Sequence, residues 1–139
     1  MIIGITGSRN GMTSKAQNFL KRYISDNEIN ELHHGDCVGA DSICHRIAVN
    51  QDIKIIVHPP KNKKMRAFCD GCVIMEEFDY LTRNRNIVNS VDTMIAFPKS
   101  KIKENRSGTW YTINYAKKCN KPLIVVYPNG DVQEYQNKN

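Results

Sequence analysis

A chain of 139 residues, 40% apolar and 24% charged, has the size and balance of one globular domain with one core, not of a disordered chain. Its longest apolar stretches, Met1–Ile5 and Leu123–Tyr127, fall far short of the about 20 apolar residues that cross a bilayer. Twenty basic against fourteen acidic residues leave a formal charge of +6, which favours anionic partners without choosing among nucleic acid, nucleotide phosphates and acidic surfaces.

The apolar run from Met1 to Thr6 ends in Gly7-Ser8, the pattern of a buried strand followed by a tight turn. The period then changes. Ala16, Phe19, Leu20, Tyr23 and Ile24 share one helical face, with Thr13 or Ser14 placed to cap it. A short strand over Glu31–His34 runs into the turn Gly35 to Asp41, and a second helix follows with Ala40, Ile43, Cys44, Ile47 and Ala48 inward. Ile53–Val57 reads as a third strand, closed by Pro59-Pro60. Lys61–Glu76 has no clean period and many cations, so a long loop is expected there; such loops often serve function. A third helix is expected over Phe78–Asn89, a fourth strand over Thr93–Phe97, and a second basic loop up to Ser107-Gly108. The helix Thr109–Lys118 and a fifth strand, Leu123–Tyr127, complete the pattern. Pro128-Asn129-Gly130 makes a turn that leaves Val132–Tyr135 to pair as a short edge strand, and a frayed tail is expected over 131–139.

Strands alternating with helices call for a parallel sheet covered on both faces. The expectation is a single doubly wound α/β domain over 1–139, with a mostly parallel five-stranded Rossmann-like sheet. In such sheets ligands bind beyond the carboxyl ends of the strands, where the strand order reverses. Three turns lie at that end: Gly7-Ser8-Arg9, Gly35 to Asp41, and Arg106-Ser107-Gly108-Thr109. Each leads into a helix, where glycine admits close approach of an anion and free N–H groups meet it. The basic loops Lys61–Arg66 and Lys99–Arg106 open on the same rim. Glycines and cations together predict a phosphate site, although either alone is ordinary connector or solvated surface. Arg9 suits bidentate phosphate contact. Asp41, in the first turn of its helix, either complements the helix dipole or accepts hydrogen bonds from a ribose, and Asp36 is a weaker copy of it.

The cysteines Cys37, Cys44, Cys69, Cys72 and Cys119 are odd in number and scattered, which reads as reduced thiols. With an apolar run that starts at Met1 and no charged start or cleavage site, a cytoplasmic protein is expected. Cys69-x-x-Cys72 is half of a zinc site. No second pair completes it, and His33, His34, His45 and His58 would have to be recruited through space, so no metal and no cofactor is expected. His34 lies near the predicted rim. Trp110 and Tyr111 suit either base stacking or packing.

Five short motifs in order carry a resemblance. They are Thr6-Gly7-Ser8-Arg9, His34-Gly35 to Gly39-Ala40-Asp41, Arg83-Asn84-Arg85-Asn86, Ile95-Ala96-Phe97-Pro98 and Ser107-Gly108-Thr109. In this order the chain resembles the SLOG superfamily, which includes the DNA-processing protein DprA and the Lonely Guy phosphoribohydrolases, and looks closest to its YspA/YpsA-related branch. The resemblance implies a phosphate cradle at Ser107-Gly108-Thr109. It also implies a ligand-facing arginine–asparagine pair, for which Arg85 and Asn86 are favoured over Arg83 and Asn84. A homodimer or higher homo-oligomer is implied as well.

The Lonely Guy enzymes resemble a Gly-Gly-x-Gly-Thr-x-x-Glu pattern with a catalytic glutamate, and the matching position here is Thr112, which cannot serve as that carboxylate. The resemblance therefore points to a binding module for a phosphorylated nucleotide or nucleotide-derived signal, for example an ADP-ribose derivative. Its resulting site residues are Gly7, Ser8, Arg9, Gly35, Gly39, Asp41, Arg85, Asn86, Ser107, Gly108 and Thr109. The alternative is a nucleotide N-glycosidase or phosphoribohydrolase, with Asp41, Asp36 or Glu104 as the base. DprA-like single-stranded DNA binding ranks third, because the charge gathers at the rim rather than along a helix face.

Overall fold

The computed structural model describes residues 1–70 and 72–136. It begins with β1 (Ile2–Gly7), α1 (Ser14–Asp26), β2 (Glu31–His34), α2 (Ala40–Asn50) and β3 (Lys54–Val57). After a single 3-10 turn at Lys63–Met65 come β4 (Val73–Ile74), α3 (Tyr80–Ser90), β5 (Thr93–Phe97), α4 (Gly108–Lys118), β6 (Leu123–Val126) and β7 (Val132–Tyr135). One sheet holds all the strands in the order β4-β3-β2-β1-β5-β6-β7, parallel throughout except for the antiparallel β7.

The side-chain period of two explains why both faces are dry. Ile3, Ile5, Ile95, Phe97, Ile124 and Val126 face one way and bury Ala16, Leu20, Ile24, Cys44 and Ala48 of α1 and α2. Met94, Ala96, Leu123 and Val125 face the other way, against Ile87, Val88, Ile113 and Ala116 of α3 and α4. Local chemistry sets the helix starts. The Thr13 hydroxyl accepts from Ala16 N at 3.2 Å, the Asp79 carboxylate from Thr82 N at 3.3 Å, and the Ser107 hydroxyl from Trp110 N at 3.3 Å.

The sheet has seven strands rather than the five expected of the doubly wound core, because each edge gains one. β4 lies inside the basic stretch expected to be all loop; two exposed residues carry no periodicity to announce it. β7 is the short edge strand expected at Val132–Tyr135, and it orders that part of the 131–139 segment expected to fray, pairing Leu123 to Tyr135 through Val126 to Val132. Residues 137–139 of that tail lie outside the described residues. Among the described residues no helix is long and apolar enough to cross a membrane.

Candidate functional site

The strand order reverses between β1 and β5, and a cleft of about 510 Å³ opens at their carboxyl ends. Gly7, Ser8, Arg9 and Asn10 form one wall. Lys99, Glu104 and Arg106 to Trp110 form the other, with Met65 and Tyr80 at the side. Ser8 N donates to Phe97 O at 3.1 Å, so the first turn is tied to the neighbouring strand. Ala40 N donates to Ser8 O at 2.9 Å, which brings the start of α2 against the same turn. Gly39 holds a φ of +106°, and a Cβ there would strike the backbone of Ser8 and Arg9, so only glycine fits. At the opposite wall Gly108 and Thr109 open α4, and no acceptor among the described residues takes their N–H groups. Those free donors carry the positive end of the helix dipole into the cleft. Arg9, Lys99 and Arg106 add three cations; one carboxylate, Glu104, lies 3.6 Å from Lys99.

Behind this rim lies a buried polar layer. Arg83 is almost wholly buried, yet among the described residues no carboxylate pairs with it. Its guanidinium donates to Gly35 O, to His58 O at 3.1 Å and to Asn84 Oδ1 at 2.8 Å, and lies 5.0 Å from the centre of the Tyr80 ring. A Cβ on Gly35 would occupy the place of that guanidinium. Asp41 Oδ2 accepts from Gly35 N and Cys37 N, both at 3.2 Å, while Asp41 Oδ1 is buried without a partner. Burial pushes the Asp41 carboxyl up to about 6, against the pull of the Arg83 guanidinium and the two N–H donors. Asp41 lines a small hollow under the cleft together with Arg9, Tyr80 and Arg83.

Known structures share this architecture. The molybdenum cofactor binding protein of the phototrophic bacterium Rippkaea orientalis is 24% identical and superposes with a TM-score of 0.70, over 91% of this chain and 76% of that one. DNA processing protein A of Helicobacter pylori, known for its single-stranded DNA binding mode, is 20% identical with a TM-score of 0.68, over 91% and 65%. This chain shares the fold of these proteins. The molybdenum cofactor carrier protein of Chlamydomonas reinhardtii shares it at 18% identity and a TM-score of 0.66, over 90% and 76%. No family model and no curated protein matches the sequence.

Within this fold, Gly7, Ser8, Arg9, Ser107, Gly108, Thr109 and Glu104 line the cleft, as does Trp110, which also packs into the second core. Gly35, Asp41 and again Arg9 line the hollow beneath it, and Gly39 supports both from behind. Arg85 and Asn86 do not reach either. Arg85 Nη1 donates to Tyr111 Oη at 2.9 Å between α3 and α4, and Asn86 offers its carbonyl to the Ser90 hydroxyl at 2.6 Å. The inward pair is Arg83 and Asn84, and the sequence held the signal: they lie four residues before the apolar Ile87 and Val88.

Asp36 is equally unsuited to the role of a free base. Its buried carboxylate accepts from Arg66 Nε at 2.8 Å and Cys69 N at 2.9 Å. Burial alone would raise this carboxyl, but those donors overcome it and hold it below the ordinary carboxylate range. Thr112, in the glutamate position of the hydrolase pattern, is buried and donates to Gly108 O at 2.9 Å, away from the cleft.

Sequence reasoning missed how the histidines meet. Asp36 N donates to His34 Nδ1 at 2.9 Å, which leaves the His34 proton on Nε2, pointing at His45 Nδ1 2.9 Å away. His45 Nε2 then donates to Asp70 O at 2.7 Å. Burial and the neighbouring His45 push His34 down to about 3, so the His34 ring stays neutral. No spacing rule reveals it, because β2, α2 and the basic loop each contribute one member.

Proposed function

We propose that this protein binds a phosphorylated nucleotide-type ligand in the cleft between β1 and β5, acting as a sensor or sequestering module. One observation carries the reading: the unpaired N–H groups of Gly108 and Thr109 face the same space as Arg9, Lys99 and Arg106. Proteins of the same fold bind molybdenum cofactor or single-stranded DNA, which supports small-molecule or nucleic-acid ligands generally. A compact phosphorylated ligand suits the cleft better than a strand, because the cations converge on one crevice instead of tracking a groove. The wider expectation of a YspA/YpsA-related, homo-oligomeric cytoplasmic protein belongs to this reading. The test is incubation of purified protein with a nucleotide panel, then mass spectrometry of protein-bound and free material. An intact nucleotide retained at one equivalent is expected. Retention undiminished in a charge-reversed Arg106→Glu protein would refute the site.

One observation favours hydrolysis as the second reading. Asp41 Oδ1 is unpartnered, buried beneath the cleft, and belongs to a carboxyl poised at about 6, in the range of a working general acid or base. Release of free base in proportion to protein, abolished in Asp41→Asn, would establish the enzyme instead of the receptor.

A further inference from the structure

We propose that His34, His45 and Cys69 form a binding site for a borderline-soft divalent transition metal, Zn²⁺ foremost. One ligand atom from each of these side chains lies within 4.8 Å of the other two. In a tetrahedral site, bonds of about 2.0–2.1 Å to nitrogen and about 2.3 Å to sulfur set ligand atoms about 3.3–3.8 Å apart. The cluster therefore needs a side-chain adjustment, not a refolding. Two imidazoles and a thiol are a donor set that selects zinc over magnesium or calcium. Three protein ligands leave the fourth position to water.

The surroundings orient these ligands. His45 Nε2 gives its proton to Asp70 O at 2.7 Å, which fixes the ring and turns the Nδ1 lone pair inward, the usual outer-shell arrangement of a metal histidine. Cys69 N donates to Asp36 Oδ1 at 2.9 Å, which fastens the thiol's own backbone beside the two rings. The Asp36 carboxylate also stays close enough to offset the ion's charge. His34 makes the one exchange. In the metal-free protein its Nε2 proton bridges to His45 Nδ1, and the ion takes that position. The His34 proton then moves to Nδ1, and the hydrogen bond from Asp36 N to that atom is given up for the metal bond. The thiol proton leaves to solvent, so loading releases one proton per ion. The site is separate from the β1–β5 cleft, and none of its three ligands lines that space.

Cobalt titration of metal-stripped protein tests the proposal. One equivalent of Co²⁺ is expected to saturate a near-ultraviolet thiolate-to-cobalt band together with visible bands of tetrahedral coordination, all displaced by Zn²⁺. Cys69→Ser is expected to lose the near-ultraviolet band, whereas Cys119→Ser, an exposed thiol, keeps it. X-ray absorption of the zinc-loaded unsubstituted protein serves where Cys69→Ser fails to fold, and is expected to show nitrogen and sulfur together in the first shell. No saturable binding at one equivalent, a band that survives Cys69→Ser, or a zinc shell without sulfur overturns the site.

Discussion

The two walls of the β1–β5 cleft and the layer buried behind them hold the same kinds of residue, arginine, a carboxylate and glycine, and use them in opposite ways. At the rim, Arg9, Lys99 and Arg106 face solvent beside helix N–H groups that nothing among the described residues satisfies. In the layer, Arg83, Asp36 and three histidine contacts satisfy one another almost completely, with Asp41 Oδ1 left over. The difference teaches that a motif rich in charge and glycine is part contact and part scaffold. The scaffold half fixes where the contact half points.

The comparison breaks most visibly at Arg83. Arg83→Ala leaves the buried carbonyl of His58 without a donor and that of Gly35 with only the weak Cys37 thiol at 3.8 Å, so a loss of about 3 kcal/mol in urea unfolding is expected. A loss below about 1 kcal/mol would place Arg83 among the rim residues after all.

Asp41 sets the next effect, and its sign is opposite to that of an ordinary paired carboxylate. Its folded pKa of about 6 lies above the usual value of 3.8, so the folded state binds the extra proton between those values. Stability contributed by protonated Asp41 is present at low pH and declines as pH rises from about 4 to about 6, by on the order of 2–3 kcal/mol. Asp36, held below 3.8, works the other way and loses its contribution only as pH falls below that value. Urea melts at pH 5 and pH 7 measure the slope, and Asp41→Asn is expected to flatten it.

At the rim, Lys99→Glu and Arg106→Glu are each expected to weaken nucleotide binding about tenfold or more by calorimetry. Their unfolding free energies are expected to stay within about 0.5 kcal/mol of the unsubstituted protein. Gly108→Val is a poorer probe, since a Cβ there strikes the Tyr80 hydroxyl and disturbs that ring as well as the anion's approach. The smallest effect belongs to Arg85→Ala, with stability changed by less than about 0.5 kcal/mol and nucleotide affinity unchanged. A tenfold affinity loss there would return the ligand contact to the outer pair.

The central strands and the four helices were legible because burial on both faces of a parallel sheet writes itself as short apolar runs between helical periods. The rim was legible for a related reason: glycine and cations at strand ends are visible one segment at a time. What escaped notice depends on direction or on assembly. Thr112 and Arg85 have the right spacing but project to the wrong side of their helices. Val73 and Ile74 form a strand only because β3 offers an edge. The His34, His45 and Cys69 cluster exists only after three distant segments have packed.

Asp36 bears on the timing of binding. Its carboxylate holds Arg66 and Cys69, and its carbonyl accepts from Ala67 N at 2.7 Å, so the loop after β3 is pinned to the turn before α2. Lifting that loop would strand a buried anion without its cation. A segment moored in this way is a wall of the cleft and not a flap over it. Entry of a ligand is therefore governed by collision and electrostatic attraction, and the association rate should fall with added salt while showing no plateau at high ligand concentration.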